Sequence, residues 1–124
     1  MIRMGILLVG VIAAMLVASA GALGSSAAPP TLKGTVGPGF TINLTMNGKK
    51  VKALKAGRYR FVISDRASIH NFALEQQTGG KYEKSLTTVP YVGTRTVVVT
   101  LKKGAWRYVC VPHASSMFGT FTVR

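Results

Sequence analysis

The sequence predicts an all-β fold, a sandwich or barrel of short strands over residues 31–124, behind an N-terminal export or anchor segment. Apolar and polar residues alternate with period two beyond residue 40, and turn residues separate the alternating runs. No stretch after residue 30 carries a helical period. At 124 residues the chain is the size of one domain, and 48% apolar content with ten aromatics is enough for a core.

Ile6 to Ala22 is an apolar run with one Ser, preceded by Arg3, and Ala18-Ser19-Ala20 supplies the small residues of a cleavage site after Ala20. Residues 1–20 therefore read as a secretory signal. The competing reading is an uncleaved membrane anchor, because Gly5 to Gly24 approaches the roughly 20 residues that span a bilayer. Both readings export the remainder, to a periplasmic or extracellular location. No Cys closely follows the run, which removes the basis for a lipid anchor on an N-terminal Cys. Residues 21–30 end in Pro29-Pro30 and lack hydrophobic periodicity, so they read as a linker, with the folded unit starting near Thr31.

The strands follow in order. Phe40, Ile42, Leu44 and Met46 alternate with Thr41, Asn43 and Thr45, and Asn47-Gly48 is the dipeptide best suited to a tight hairpin. Beyond it Val51 and Ala53 alternate with Lys50 and Lys52. Tyr59, Phe61 and Ile63 share one face, and Val97, Val99 and Leu101 another. Trp106, Tyr108 and Cys110 follow on one face, then Phe121 and Val123. Turns are expected at Ala56-Gly57, Gly79-Gly80, Pro90, Gly93 and Lys103-Gly104.

Sixteen Lys and Arg against three acids give a formal charge of +13. Asp65, Glu75 and Glu83 are scattered, which disfavours a two-carboxylate hydrolase. There is no Gly-rich phosphate loop between a strand and a helix, and the cations are spread over several strands with no groove-reading motif, so nucleic acid is not the expected partner.

A single Cys in an exported chain forms no internal disulfide. Alone, Cys110 would be a buried thiol acting as a small hydrophobe. Its context is richer: in Cys110-Val111-Pro112-His113-Ala114-Ser115-Ser116-Met117 a thiol, an imidazole and a thioether follow one another at a strand end. Soft sulfur with imidazole suits copper, and two His, one Cys and a weak axial Met is the blue-copper donor set. The second His has one candidate, His70, at the inward-facing start of His70-Asn71-Phe72-Ala73-Leu74.

On these residues the chain resembles the cupredoxins, the small blue-copper proteins of the plastocyanin, amicyanin and pseudoazurin type. The likeness spans residues 31–124 and rests on His70-Asn71, on Tyr108-Val109-Cys110-Val111-Pro112-His113 with Met117, and on the closing Gly119-Thr120-Phe121-Thr122-Val123. It implies a Greek-key sandwich holding one copper ion that alternates between Cu(I) and Cu(II). His70, Cys110 and His113 would be equatorial ligands and Met117 the weak axial one. Asn71 would tie the ligand loops together, its backbone NH near the Cys110 sulfur. Pro112, lacking an NH, would withhold a second such bond. Three residues separate His113 from Met117, a spacing between the shorter amicyanin-like loop and the longer plastocyanin-like one.

The expected function is an exported electron carrier, with the edge of His113 as electron port and Ala114, Met117, Phe118 and Gly37-Pro38-Gly39 forming an apolar patch around it. The positive charge suggests an acidic-faced redox partner such as a cytochrome or copper oxidase, met by a monomer, with an anionic membrane or wall surface as a further candidate. Copper storage or delivery would use the same ligands. A thiol enzyme is disfavoured by the Pro between Cys110 and His113 and by the lack of a nearby orienting acid. Zinc is disfavoured because copper binds such donors more tightly.

Overall fold

The computed structural model describes residues 27–124; the expected signal or anchor and the linker residues up to 26 lie outside the described residues. Ten strands form two five-stranded sheets: β1 (Thr31–Val36), β2 (Ile42–Met46), β3 (Lys49–Lys50), β4 (Ala53–Leu54), β5 (Gly57–Asp65), β6 (Ala73–Gln76), β7 (Glu83–Ser85), β8 (Gly93–Leu101), β9 (Gly104–Val109) and β10 (Phe118–Val123). One sheet runs β3-β2-β1-β5-β8 and the other β4-β10-β9-β6-β7. Both are mixed, because β1 pairs with β5 and β4 with β10 in parallel while the other pairings are antiparallel. The expected all-β sandwich is what forms, with a single 3-10 turn at Val111–His113.

Alternation explains the long strands. In β5 the residues Tyr59, Phe61, Ile63 and Asp65 are buried while Arg58 is exposed and Arg60, Val62 and Ser64 are half-buried, as period two requires. The facing sheet supplies Trp106, Tyr108, Phe121 and Val123 to the same core. Phe72 stacks on Tyr108 at 5.8 Å and Trp106 on Phe121 at 6.2 Å. Trp106 Nε1 donates to the Lys102 carbonyl at 2.9 Å, so its burial strands no donor. Asn47 and Gly48 both have positive φ, 51° and 77°, the conformation an Asn-Gly hairpin turn needs.

Two expectations are corrected. The strand expected from Phe40 begins at Ile42, and Phe40 stands in the loop before it, 64% exposed. Val51 and Ala53 do not share a buried face: Val51 is buried, but the chain then crosses to the second sheet, where Leu54 turns inward and Ala53 outward. A change of sheet resets the parity, which alternation within one run does not reveal.

Strands β1, β5, β7 and β9 run toward one end of the sandwich, and their following loops, 37–41, 66–72, 86–92 and 110–117, meet there. The loops are tied to one another: Arg66 N donates to the Val36 carbonyl at 2.9 Å, and Phe72 N to Thr87 Oγ1 at 2.9 Å. Gly37, at φ 73°, lies so close to Ala67 that a Cβ would press on that side chain.

Gly119 faces Tyr108 across the β9–β10 pair, and a Cβ there would enter the buried phenol ring. Gly119→Ala is expected to cost about 1–3 kcal/mol of stability through overpacking, read as a lower denaturant midpoint with an unchanged slope.

Candidate metal centre

Three donors converge at the loop end. His70 closes the 66–72 loop, where Asp65 Oδ1 accepts from Ala67 N at 3.2 Å and His70 N donates to the Ala67 carbonyl at 3.3 Å. Cys110 ends β9, and its N donates to the Met117 carbonyl at 3.0 Å, closing the second loop at its base. His113 sits on the 3-10 turn in between, its N donating to the Cys110 carbonyl at 3.0 Å. Pro112 opens that turn with a fixed φ and no donor, a position it suits.

The three ligand atoms form a compact triangle. His70 Nδ1 and His113 Nδ1 are 3.1 Å apart, and each is 3.6 Å from Cys110 Sγ. The point equidistant from all three lies about 2.0 Å from each, matching a metal–imidazole bond of about 2.0–2.1 Å and slightly short of a metal–thiolate bond of about 2.3 Å. The fit is chemical as well as metric. Nδ1 is the His70 ring atom aimed at the other donors, while Nε2 is buried without a partner. With no proton on them, these three atoms turn their lone pairs toward one point, and two imidazoles with one thiolate are a donor set that suits copper.

Met117 is buried beside Cys110 in the core cluster, and its N donates to the His113 carbonyl at 2.9 Å, which brings the fourth expected ligand back to the site. Asn71 is buried, and its side chain joins the loops: Oδ1 accepts from Val111 N at 2.8 Å and Nδ2 donates to Ser85 Oγ at 3.3 Å. The two loops bearing His70 and Cys110 are thereby held in register by one amide. Among the described residues, the polar contacts of Cys110 Sγ are the two imidazoles, and the expected NH of Asn71 is not one of them.

Cys110 and His70 are fully buried, whereas His113 is half-buried and reaches the surface. The exposed apolar side chains of its own loop and of the His70 and Phe40 loops are Phe40, Ile69, Val111 and Phe118, whereas Met117, expected in this patch, is buried. Phe40 was read from the sequence only as a strand residue, yet its ring meets both imidazoles edge-on, at 5.2 Å from His70 and 4.9 Å from His113. Nothing in the alternating pattern marks it; the Gly37-Pro38-Gly39 turn before it is the one signal that its strand starts late. Phe40→Ala should leave stability within about 1 kcal/mol, because the side chain is mostly exposed. It should nevertheless speed metal removal by a chelator several-fold, and Phe40→Leu should restore part of the protection.

No family model and no curated protein matches the chain. Among solved structures it resembles rusticyanin, described as a copper protein, with a TM-score of 0.56 and 18% identity over 76% of each chain. Reduced rusticyanin gives a TM-score of 0.52 at 18% identity over 76% of this chain and 78% of that one. A solution structure of the reduced protein gives 0.51 at 19% identity over 76% of each. This is the cupredoxin fold, and the chain carries at its loop end the His-Cys-His cluster typical of cupredoxin copper ligands.

Proposed function

We propose that this chain is an exported type 1 copper protein that carries single electrons, with His70, Cys110 and His113 as equatorial ligands and Met117 as the axial one. The observation that supports it most is the triangle of Nδ1, Nδ1 and Sγ, already sized for a metal ion and walled from water. Copper bound there supplies one-electron exchange between Cu(I) and Cu(II). The chain's own residues supply the rest. Asn71 and the Cys110–Met117 backbone bond fix the donors, which limits the rearrangement between oxidation states. Phe72 keeps solvent from the buried side, Phe40 covers part of the imidazole edges on the outer side, and His113 carries the path outward.

The apolar rim of Phe40, Ile69, Val111 and Phe118 suits brief docking with a redox partner such as a cytochrome or copper oxidase, because transient electron-transfer contacts bury little area. Arg66, which opens the His70 loop and is exposed, would meet acidic groups at the edge of that partner's face. An enzymatic role for Cys110 is disfavoured by its complete burial, which denies a nucleophile access to substrate.

One equivalent of Cu(II) should produce an intense visible band with narrow copper hyperfine splitting, abolished in Cys110→Ser. The band should bleach with reductant and return with oxidant over repeated cycles while a chelator removes little metal. Ready loss of copper to the chelator would instead support storage or delivery, and a colourless product would end the type 1 reading. Pro112→Ala introduces an amide that can reach the thiolate and stabilise the reduced state. A hydrogen bond of about 0.5–1.5 kcal/mol corresponds to a rise of about 20–60 mV in potential, measured by redox titration.

A further inference from the structure

We propose that the end of the sandwich opposite the metal cluster is a docking face for an anionic lipid bilayer, held by headgroup phosphates. Strand β5 spans nine residues from Gly57 to Asp65, so the two ends lie about 25–30 Å apart. The cations are concentrated at the far end. Lys49 and Lys50 form β3, and Lys52 and Lys55 flank β4, all exposed. Arg124 is bound to the same corner, its N donating to the Leu54 carbonyl at 3.0 Å and its carbonyl accepting from Ala56 N at 2.8 Å. Arg58 at the start of β5, and Lys102 and Lys103 in the β8–β9 turn, complete the face.

Few acidic side chains offset them. Asp65 is buried at the loop end, Glu75 is bound by Arg107, and Glu83 lies on β7. Among the described residues Arg107–Glu75 is the one ion pair. Like charges gathered without ion-pair partners at one end repel one another, and an external polyanion relieves that repulsion.

Two observations select a bilayer among polyanions. Strand β1 runs parallel to β5, up from this end, so the chain preceding Thr31 leaves the sheet on the Gly57 side. The apolar run Ile6 to Ala22 lies just upstream in the sequence. The face also lacks the exposed aromatics that stack on bases or anchor protein interfaces: Phe40 and Phe118 stand at the other end. A flat cationic face beside the chain's exit suits a headgroup layer and directs His113 away from the membrane.

The test is sedimentation with vesicles of phosphatidylcholine alone or mixed with phosphatidylglycerol. It uses metal-free protein, both as the full chain and as the chain begun at Gly21, so its outcome is separate from that of the copper reading. Tryptophan fluorescence of buried Trp106 confirms that each variant is folded. Both forms should prefer the anionic vesicles at least tenfold in about 0.1 M salt, less at higher salt, since each cation near such a surface contributes about fivefold. Lys49→Glu, Lys50→Glu, Lys52→Glu and Lys55→Glu combined should abolish that preference. Arg66→Glu, Lys84→Glu and Arg95→Glu combined, three charge reversals placed elsewhere, should retain most of it. Equal binding to both lipid compositions, or equal loss in the two variants, overturns the proposal. So does binding of polyphosphate or DNA by the same face without vesicle binding.

Discussion

Three donor atoms held 3.1 to 3.6 Å apart repel one another unless a proton or a metal ion lies among them, and the loop end of this sandwich is organised to hold them there. The donors come from two loops that are distant in sequence. Each loop is fixed at its base by a strand end, His70 leading into β6 and Cys110 leaving β9, which are neighbours paired from Ala73↔Val109 downward. That pairing puts the imidazole and the thiol side by side before any metal contact is made. The single amide of Asn71 then adds a cross-brace at Val111, one residue beyond the thiol. Removing the brace would leave Val111 N without that partner and the loops free to part, a cost that falls on the site before it falls on the core.

Rigidity and dryness have a common origin here. The aromatic layer of Phe72, Tyr108, Trp106 and Phe121 lies beneath the donors, and burial raises the pKa of the Tyr108 phenol, with a hydrogen bond at the Leu44 backbone acting in the opposite direction. Tyr108 is therefore neutral through the physiological range and acts as packing. Above the donors the Phe40 ring covers part of the remaining side. A low-dielectric wall on both sides strengthens the interaction of a bound cation with thiolate and imidazole, while half-buried His113 keeps one edge near the surface.

Most of this was legible in the sequence wherever a local pattern reports a local constraint. The alternation in Tyr59–Asp65 and Val97–Leu101 marked the core faces, Asn47-Gly48 marked a hairpin, and the spacing of Cys110, His113 and Met117 marked a loop of donors. What escaped was set by geometry between segments. The switch of β4 to the second sheet inverted Ala53 and Leu54 because a strand's parity restarts when its partner changes. Phe40 kept its place in the alternation but lost its strand, since the turn at residues 37–41, closed by Gly37 N to the Thr41 carbonyl, carries it over the histidines. The short edge strand β7 has too few residues for periodicity to show. The sorting of cations to one end was equally invisible, because it depends on which strand ends meet.

The molecule thus has two chemically distinct ends: a buried donor cluster with an apolar rim, and a cationic face beside the start of β1. Its central claim is that the fold, and not the metal, sets the donor triangle. Crystal structures of the metal-free and copper-loaded protein test it most directly. The account predicts that the three donor separations agree within about 0.3 Å between the two, with Asn71 Oδ1 still accepting from Val111 N in both. A metal-free structure in which His113 swings out or the Asn71 bond is broken would contradict it, and would make the site a product of the ion.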